Sequence, residues 1–297
     1  MMNKTRVDAM YEQLIEKFVK WAEGREDIRS AIIVGSRARV DYPADEWADL
    51  DLLIVTSNPD QYIAKDDWIE NMGSPLLTFI EPTSSGEDLE RRVLYEGMID
   101  VDFAIIPTEK AKLLRSGADL PPQIKTNLAN TFGRGARVII DKDGLAATLN
   151  EVLSSLGPLV PQKPSEAEFR QVVNDFLYHT IFAFKHLRRG ELWWAKMTTD
   201  CYMQQLLLHM IEWHARAIRG WTHDTWFRGR FLERWADPRV LKEMSHVFAR
   251  YEEDDMDQAL LASLDLFRWL ATETAEKLAY DYPSKMHERL SAWMRTT

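Results

Sequence analysis

Ala31-Ile-Ile-Val-Gly-Ser-Arg-Ala-Arg39, followed by Ala48-Asp-Leu-Asp-Leu-Leu-Ile54, is the stretch on which the reading of this chain turns. Ala31 to Val34 is a short apolar run closed by Gly35-Ser36, the pattern of a buried strand feeding a tight turn. Leu50 to Val55, apolar except for Asp51, reads as a second strand. A glycine at a strand end lets backbone approach a ligand closely, and the N–H groups of Gly35, Ser36 and Arg37, with the Ser36 hydroxyl, can then aim at a phosphate. Residues two apart on a strand share a face, so Asp49 and Asp51 present paired carboxylates. Such a pair repels itself unless a cation lies between, and an all-oxygen ligand set suits Mg²⁺.

Outward from this stretch, Val7, Met10, Tyr11, Leu14, Ile15, Phe18 and Ala22 recur at helical spacing and predict an amphipathic helix ending near Gly24. Leu76 to Ile80, Arg92 to Tyr95 and Ile99 to Ile106 are further strand candidates, the last two joined as a hairpin across Glu96-Gly97. Arg137 to Ile140 predicts a final strand before the turn signal Asp141 to Gly144. Asp102 lies on the Ile99 to Ile106 strand, sharing a face with Asp100. Beside Asp49 and Asp51 it completes a trio able to hold two cations, and a third carboxylate can also take the proton of an attacking hydroxyl.

The β signal ends there. Gly157 to Pro164 holds three prolines and a glycine and marks a boundary. Ser165 and Glu168 form a capping box, and the rest predicts four to six amphipathic helices broken at Pro238 and Pro283. The expected fold class is α+β, a mixed-sheet N-terminal domain over residues 1–157 followed by a C-terminal α-helical bundle domain over 165–297.

Composition narrows the classes of function. With 37 basic and 47 acidic residues the net charge is −10, which excludes the bulk basic footprint of a nucleic-acid binder and favours a cationic substrate. The single cysteine, Cys201, rules out an internal disulfide and reads as a buried structural thiol among Tyr202, Met203 and Leu206. Met1 to Gln13 is charged and without an apolar core, and no run approaches the ~18 apolar residues of a membrane span, so no signal peptide, no membrane association and a cytoplasmic location are expected. The seven histidines show no ligand spacing and read as structural. Oligomeric state is not legible.

Gly35-Ser36, Asp49-x-Asp51 and Asp102 together resemble the signature of the polymerase-beta-like nucleotidyltransferase superfamily. The segments Lys185 to Glu191, His209 to Trp213, Arg230 to Arg234 and Ala275 to Pro283 extend that resemblance to the bacterial aminoglycoside 6-adenylyltransferases, which modify streptomycin. What the resemblance implies is transfer of AMP from ATP to an aminoglycoside hydroxyl, with Mg²⁺ required and pyrophosphate released. Ser36 would contact the triphosphate, Asp49 and Asp51 would bind metal, and Asp102 would bind metal, act as base, or both. It also implies a nucleotidyltransferase domain at the N-terminus and a helical domain that closes over nucleotide and substrate. Lys185 and Arg189, four apart on one helix, could then neutralise the β- and γ-phosphates, the alternative being a solvated basic face. Trp193 and Trp194 could stack on a base or sugar but read more readily as core. Glu96, Asp100, Asp175, Glu191 and Glu212 are candidate acids for a cationic acceptor. The stretches 39–47 and 82–90 depart from the family, which leaves open another small-molecule or protein hydroxyl as acceptor, and a catalytically silent nucleotide-binding relative as a further reading.

Overall fold

Alternation in the central strands sorts side chains onto two faces, and both are buried. In the computed structural model, which describes residues 4–114, 120–156 and 160–296, strands β1 (Ile28–Val34), β2 (Leu50–Thr56), β3 (Pro75–Pro82), β4 (Leu89–Tyr95), β5 (Ile99–Pro107) and β6 (Arg137–Asp141) form one sheet of order β3-β4-β5-β2-β1-β6. The β2–β5 pair is parallel and the other pairs are antiparallel, so the sheet is mixed. Ala31, Ile33, Leu50, Leu52, Ile54, Val101, Phe103 and Ile105 point to one face. There they meet Val7, Tyr11, Leu14, Ile15, Phe18 and Ala22 of helix α1 (Lys4–Glu23). Phe18 is fully buried, and truncating such a side chain to alanine costs about 3–5 kcal/mol.

The opposite face carries Ile32, Val34, Leu53 and Val138 against Leu114, Leu120, Phe132, Leu149 and Val152. Helices α4 (Pro122–Phe132) and α5 (Leu145–Leu156) supply much of this cover, preceded by the short α2 (Pro59–Ala64) and α3 (Thr108–Leu113). These four helices escape the periodicity reading, because two are shorter than two turns and their start signals, Pro59 and Pro122 at the first helical position, stand in polar surroundings. The hairpin expected across Glu96-Gly97 is present. Its tight return uses positive φ at Gly97 (84°) and Met98 (59°), with Tyr95 paired to Ile99.

The chain divides into two compact units, residues 1–159 and 160–297. Of the proline-rich boundary stretch, 157–159 lie outside the described residues. In the second unit the capping box is formed, with Ser165 Oγ accepting from the Glu168 N–H at 3.2 Å and Glu168 Oε2 accepting from the Ser165 N–H at 2.7 Å. It opens α6 (Glu166–Arg188), followed by α7 (Leu192–Met197), a π-helical turn (Thr198–Met203), α8 (Gln204–Arg219), α9 (Leu232–Trp235), α10 (Pro238–Val247), α11 (Glu253–Leu278) and α12 (Ser284–Thr296). That is seven α-helices among the described residues, one more than expected, because α7 and α9 are too short to show a period. Pro238 and Pro283 mark helix starts, as their positions predict. The core joins α6, α8 and α11, where Phe176 stacks on Phe267 at 3.8 Å.

Three expectations are corrected here. Cys201 is exposed, since the π-helical turn rotates it away from the core that holds Met203. Trp193 and Trp194 are 67% and 55% exposed on the short α7, so neither is core. Asp49 precedes the strand that begins at Leu50, its backbone held by a side chain rather than by the ladder.

Candidate active site

The parallel pairing of β2 with β5 puts Asp51 directly opposite Asp102, and Asp49 stands just before β2. One carboxylate oxygen from each of Asp49, Asp51 and Asp102 can be chosen so that all three lie within 4.8 Å of one another. Three acids at this spacing fit a divalent cation by donor chemistry, since hard oxygens of formal charge suit Mg²⁺. Asp102 is only 8% exposed, and burial pushes its carboxyl up to about 7, with Arg92 opposing the shift and Glu90, Asp49 and Asp100 adding to it.

The turn after β1 is shaped around these acids. Gly35 adopts φ +66°, and a side chain there would overlap the Asp51 carboxylate. Ser36 next to it is 9% exposed, and its Oγ has no hydrogen-bond partner among the described residues. A buried, unsatisfied hydroxyl is costly, on the order of 1–3 kcal/mol, and calls for a ligand acceptor.

Arg37, the third residue of the predicted phosphate-facing turn, is committed elsewhere. Its Nε donates to the Asp49 carbonyl at 2.9 Å and its Nη2 to the Ala48 carbonyl at 2.7 Å. Its guanidinium pairs with Asp8 at 3.3 Å and lies 3.4 Å from the centre of the Tyr11 ring. Tyr11 in turn donates to Asp100 Oδ1 at 2.9 Å, and burial first, with the Asp100 charge second, raises the phenol well above its usual pKa. Arg37 thereby braces the segment that delivers Asp49. Sequence reading missed that role, because nothing in the spacing reveals that the residue faces back toward α1.

The same sheet face continues into a cavity of about 320 Å³. Val34, Leu53, Val55, Ala104 and Ile106 form part of its wall, with Asp51 and Asp102 lining it too. Glu87 and Asp88 line it as well, held by Asn127 and Lys110 at 2.9 and 2.6 Å. Arg92, which sequence reading passed over, reaches Asp102 at 3.2 Å. Its signal was available in the register: on paired strands it falls directly across from Asp102.

In the second unit, Lys185 is exposed in the last turn of α6, and Arg189 caps that helix while pairing with Glu191 at 2.8 Å. Glu191 is also held by His186, which lowers its pKa. Asp175 accepts from Tyr202 at 2.8 Å and pairs with His179 at 2.7 Å. Glu212, on α8, is pushed up to about 7 by burial, with Arg216 opposing. Glu96 and Asp100 are exposed in and beside the β4–β5 turn. No helix among the described residues is long and apolar enough to cross a membrane.

Comparison with known proteins adds a family to this geometry. The aminoglycoside 6-adenylyltransferase of Bacillus subtilis is 22% identical over 278 residues, which span 92% of each chain, and that of Campylobacter jejuni is 21% identical over 279 residues, 92% of this chain and 90% of its own. A solved aminoglycoside 6-adenyltransferase from Bacillus subtilis matches 96% of this chain and 97% of its own at 19% identity and a TM-score of 0.44. The model of the streptomycin adenylyltransferase family matches residues 9–297, both units together. A match of that extent makes this chain a member of the streptomycin adenylyltransferase family, and an enzyme of the nucleotidyltransferase class.

Proposed function

We propose that this enzyme transfers AMP from ATP to a hydroxyl of an aminoglycoside, streptomycin foremost, and releases pyrophosphate. The observation that carries the proposal is the convergence of Asp49, Asp51 and Asp102 beside the Gly35-Ser36 turn. Asp49, Asp51 and Asp102 hold Mg²⁺, which when bound supplies charge neutralisation at the α-phosphate. Ser36 donates its otherwise unpartnered hydroxyl to a phosphate oxygen. Asp102, buried and directly across from Asp51, takes the proton of the acceptor hydroxyl. Lys185 and Arg189 meet the β- and γ-phosphates and steady the leaving group. The cationic acceptor matches a chain of net charge −10.

The test is incubation of the protein with ATP, Mg²⁺ and streptomycin, followed by assay of pyrophosphate and of the mass of the antibiotic. An added AMP mass on streptomycin is the expected result. Pyrophosphate release only with a different hydroxyl acceptor would replace the substrate, and no release with any acceptor would remove the activity.

A further inference from the structure

Arg92, which the proposed chemistry leaves without a role, is a cation that faces the acid cluster. It sits on β4 opposite Asp102 on β5, and Asp102 sits opposite Asp51 on β2, so the three side chains form a row across one sheet face. The guanidinium is shared among three carboxylates: Asp102 Oδ2 at 3.2 Å, Glu90 Oε1 at 3.1 Å, and Glu81. The Arg92 side chain is 42% exposed and has room to move, whereas Asp102 has little. Glu81 and Glu90 stand outside the Asp49, Asp51, Asp102 trio.

We propose that Arg92 is a displaceable internal counter-ion, which holds Asp102 while the acid cluster lacks a cation and withdraws onto Glu81 and Glu90 when a divalent cation binds. The inference rests on the reading of Asp49, Asp51 and Asp102 as cation ligands. Its physical basis is competition: the guanidinium is paired with one oxygen of a carboxylate that the cation shares, and it repels a second positive charge a few ångströms away. Without Arg92 the buried Asp102 carboxylate would lose the guanidinium it pairs with while Asp49 and Asp51 stay close by, a costly arrangement for so poorly solvated a group. With it, cation affinity is deliberately reduced, and two acids stand ready to receive the displaced charge. Arg92 is therefore a positioning residue that sets how tightly the site takes its cation.

The test compares Mn²⁺ binding, followed by electron paramagnetic resonance without nucleotide, in the wild type, Arg92→Gln and Arg92→Lys. A parallel measurement follows the melting temperature in EDTA and in MgCl₂. Arg92→Gln is expected to bind Mn²⁺ about tenfold more tightly or better, to melt lower in EDTA and to gain more from MgCl₂ than the wild type. Arg92→Lys, which keeps the charge, is expected to stay within about threefold of the wild type. A folded Arg92→Gln whose Mn²⁺ affinity is equal to or weaker than the wild type overturns the proposal while leaving the cation site intact. Absence of Mn²⁺ binding in all three proteins overturns the cation-site reading, and this inference with it.

Discussion

The backbone of Gly35 lies against the carboxylate of Asp51, so closely that a Cβ at position 35 would overlap Asp51 Oδ2 and stand 3.0 Å from Cγ. With φ at +66°, an alanine there is also strained in its own backbone. Gly35→Ala is expected to displace the acid, lower kcat by about 100-fold or more and cost about 1–3 kcal/mol of stability. Pyrophosphate release and a thermal melt measure the two effects separately, and a variant with the wild-type rate would show that the contact does not matter.

Asp51→Asn and Asp102→Asn each remove the charge of a proposed cation ligand while keeping shape. Activity should fall by roughly 10² to 10⁴. Stability without added cation should hold or rise, because a like-charge contact is relieved. A melt that drops along with the rate would assign these residues to folding instead.

Arg37 is bonded to the carbonyls of Ala48 and Asp49 and stacked on Tyr11. Replacing it with Gln leaves two backbone acceptors without their donors and should cost about 1–3 kcal/mol, with kcat down about tenfold as Asp49 loosens. Arg37→Lys should recover little of either, since an ammonium cannot match the planar fork. Denaturant titration and steady-state kinetics of both variants decide it.

His287 is fully buried, its Nδ1 bonded to the Tyr282 hydroxyl at 2.8 Å and its Nε2 without a partner. Burial first, and Arg268 second, lower its pKa to about 4 from the 6.5 of the unfolded chain. As pH falls the unfolded form therefore takes up the proton first. The stability at stake is fully present above pH 6.5 and is lost between 6.5 and about 4, to a limit of about 3 kcal/mol. Urea midpoints at pH 7 and pH 5 should differ by more in the wild type than in His287→Gln.

Lys185 and Arg189 are proposed to bind the phosphates of ATP. Lys185→Ala and Arg189→Ala should each raise KM for ATP by about tenfold or more with a smaller change in kcat, the pattern of lost substrate binding. Unchanged KM in both would return these residues to a solvated helix end.

The strands and the long helices were legible because their signal is periodic and local: Ala31 to Val34, Leu50 to Val55 and Ile99 to Ile106 are apolar runs broken only by Asp51, Asp100 and Asp102, and Ser165 with Glu168 caps a helix that does begin there. The acid trio was legible because Asp49 and Asp51 stand two apart at the start of one apolar strand and Asp102 lies on another. What sequence could not show depends on tertiary placement. Arg37 and Ser36 look alike as turn residues, yet one is spent on α1 and on backbone while the other is left with a bare hydroxyl. Trp193 and Trp194 carry the composition of a core, and only the short α7 turns them outward. Arg92 could have been found by counting back from the Glu96-Gly97 turn, which sets it against Asp102.

The one-to-one pairing of β2 with β5 has a bearing on how the chain finds its fold. A slip of β5 by one residue would turn Asp102 to the other side of the sheet, into the place beside Phe18 and Trp68 that Phe103 now fills. Burying a carboxylate beside those rings is heavily penalised, so the misaligned sheet is strongly disfavoured. The residues proposed to do the chemistry thus also proofread the assembly of the sheet that carries them.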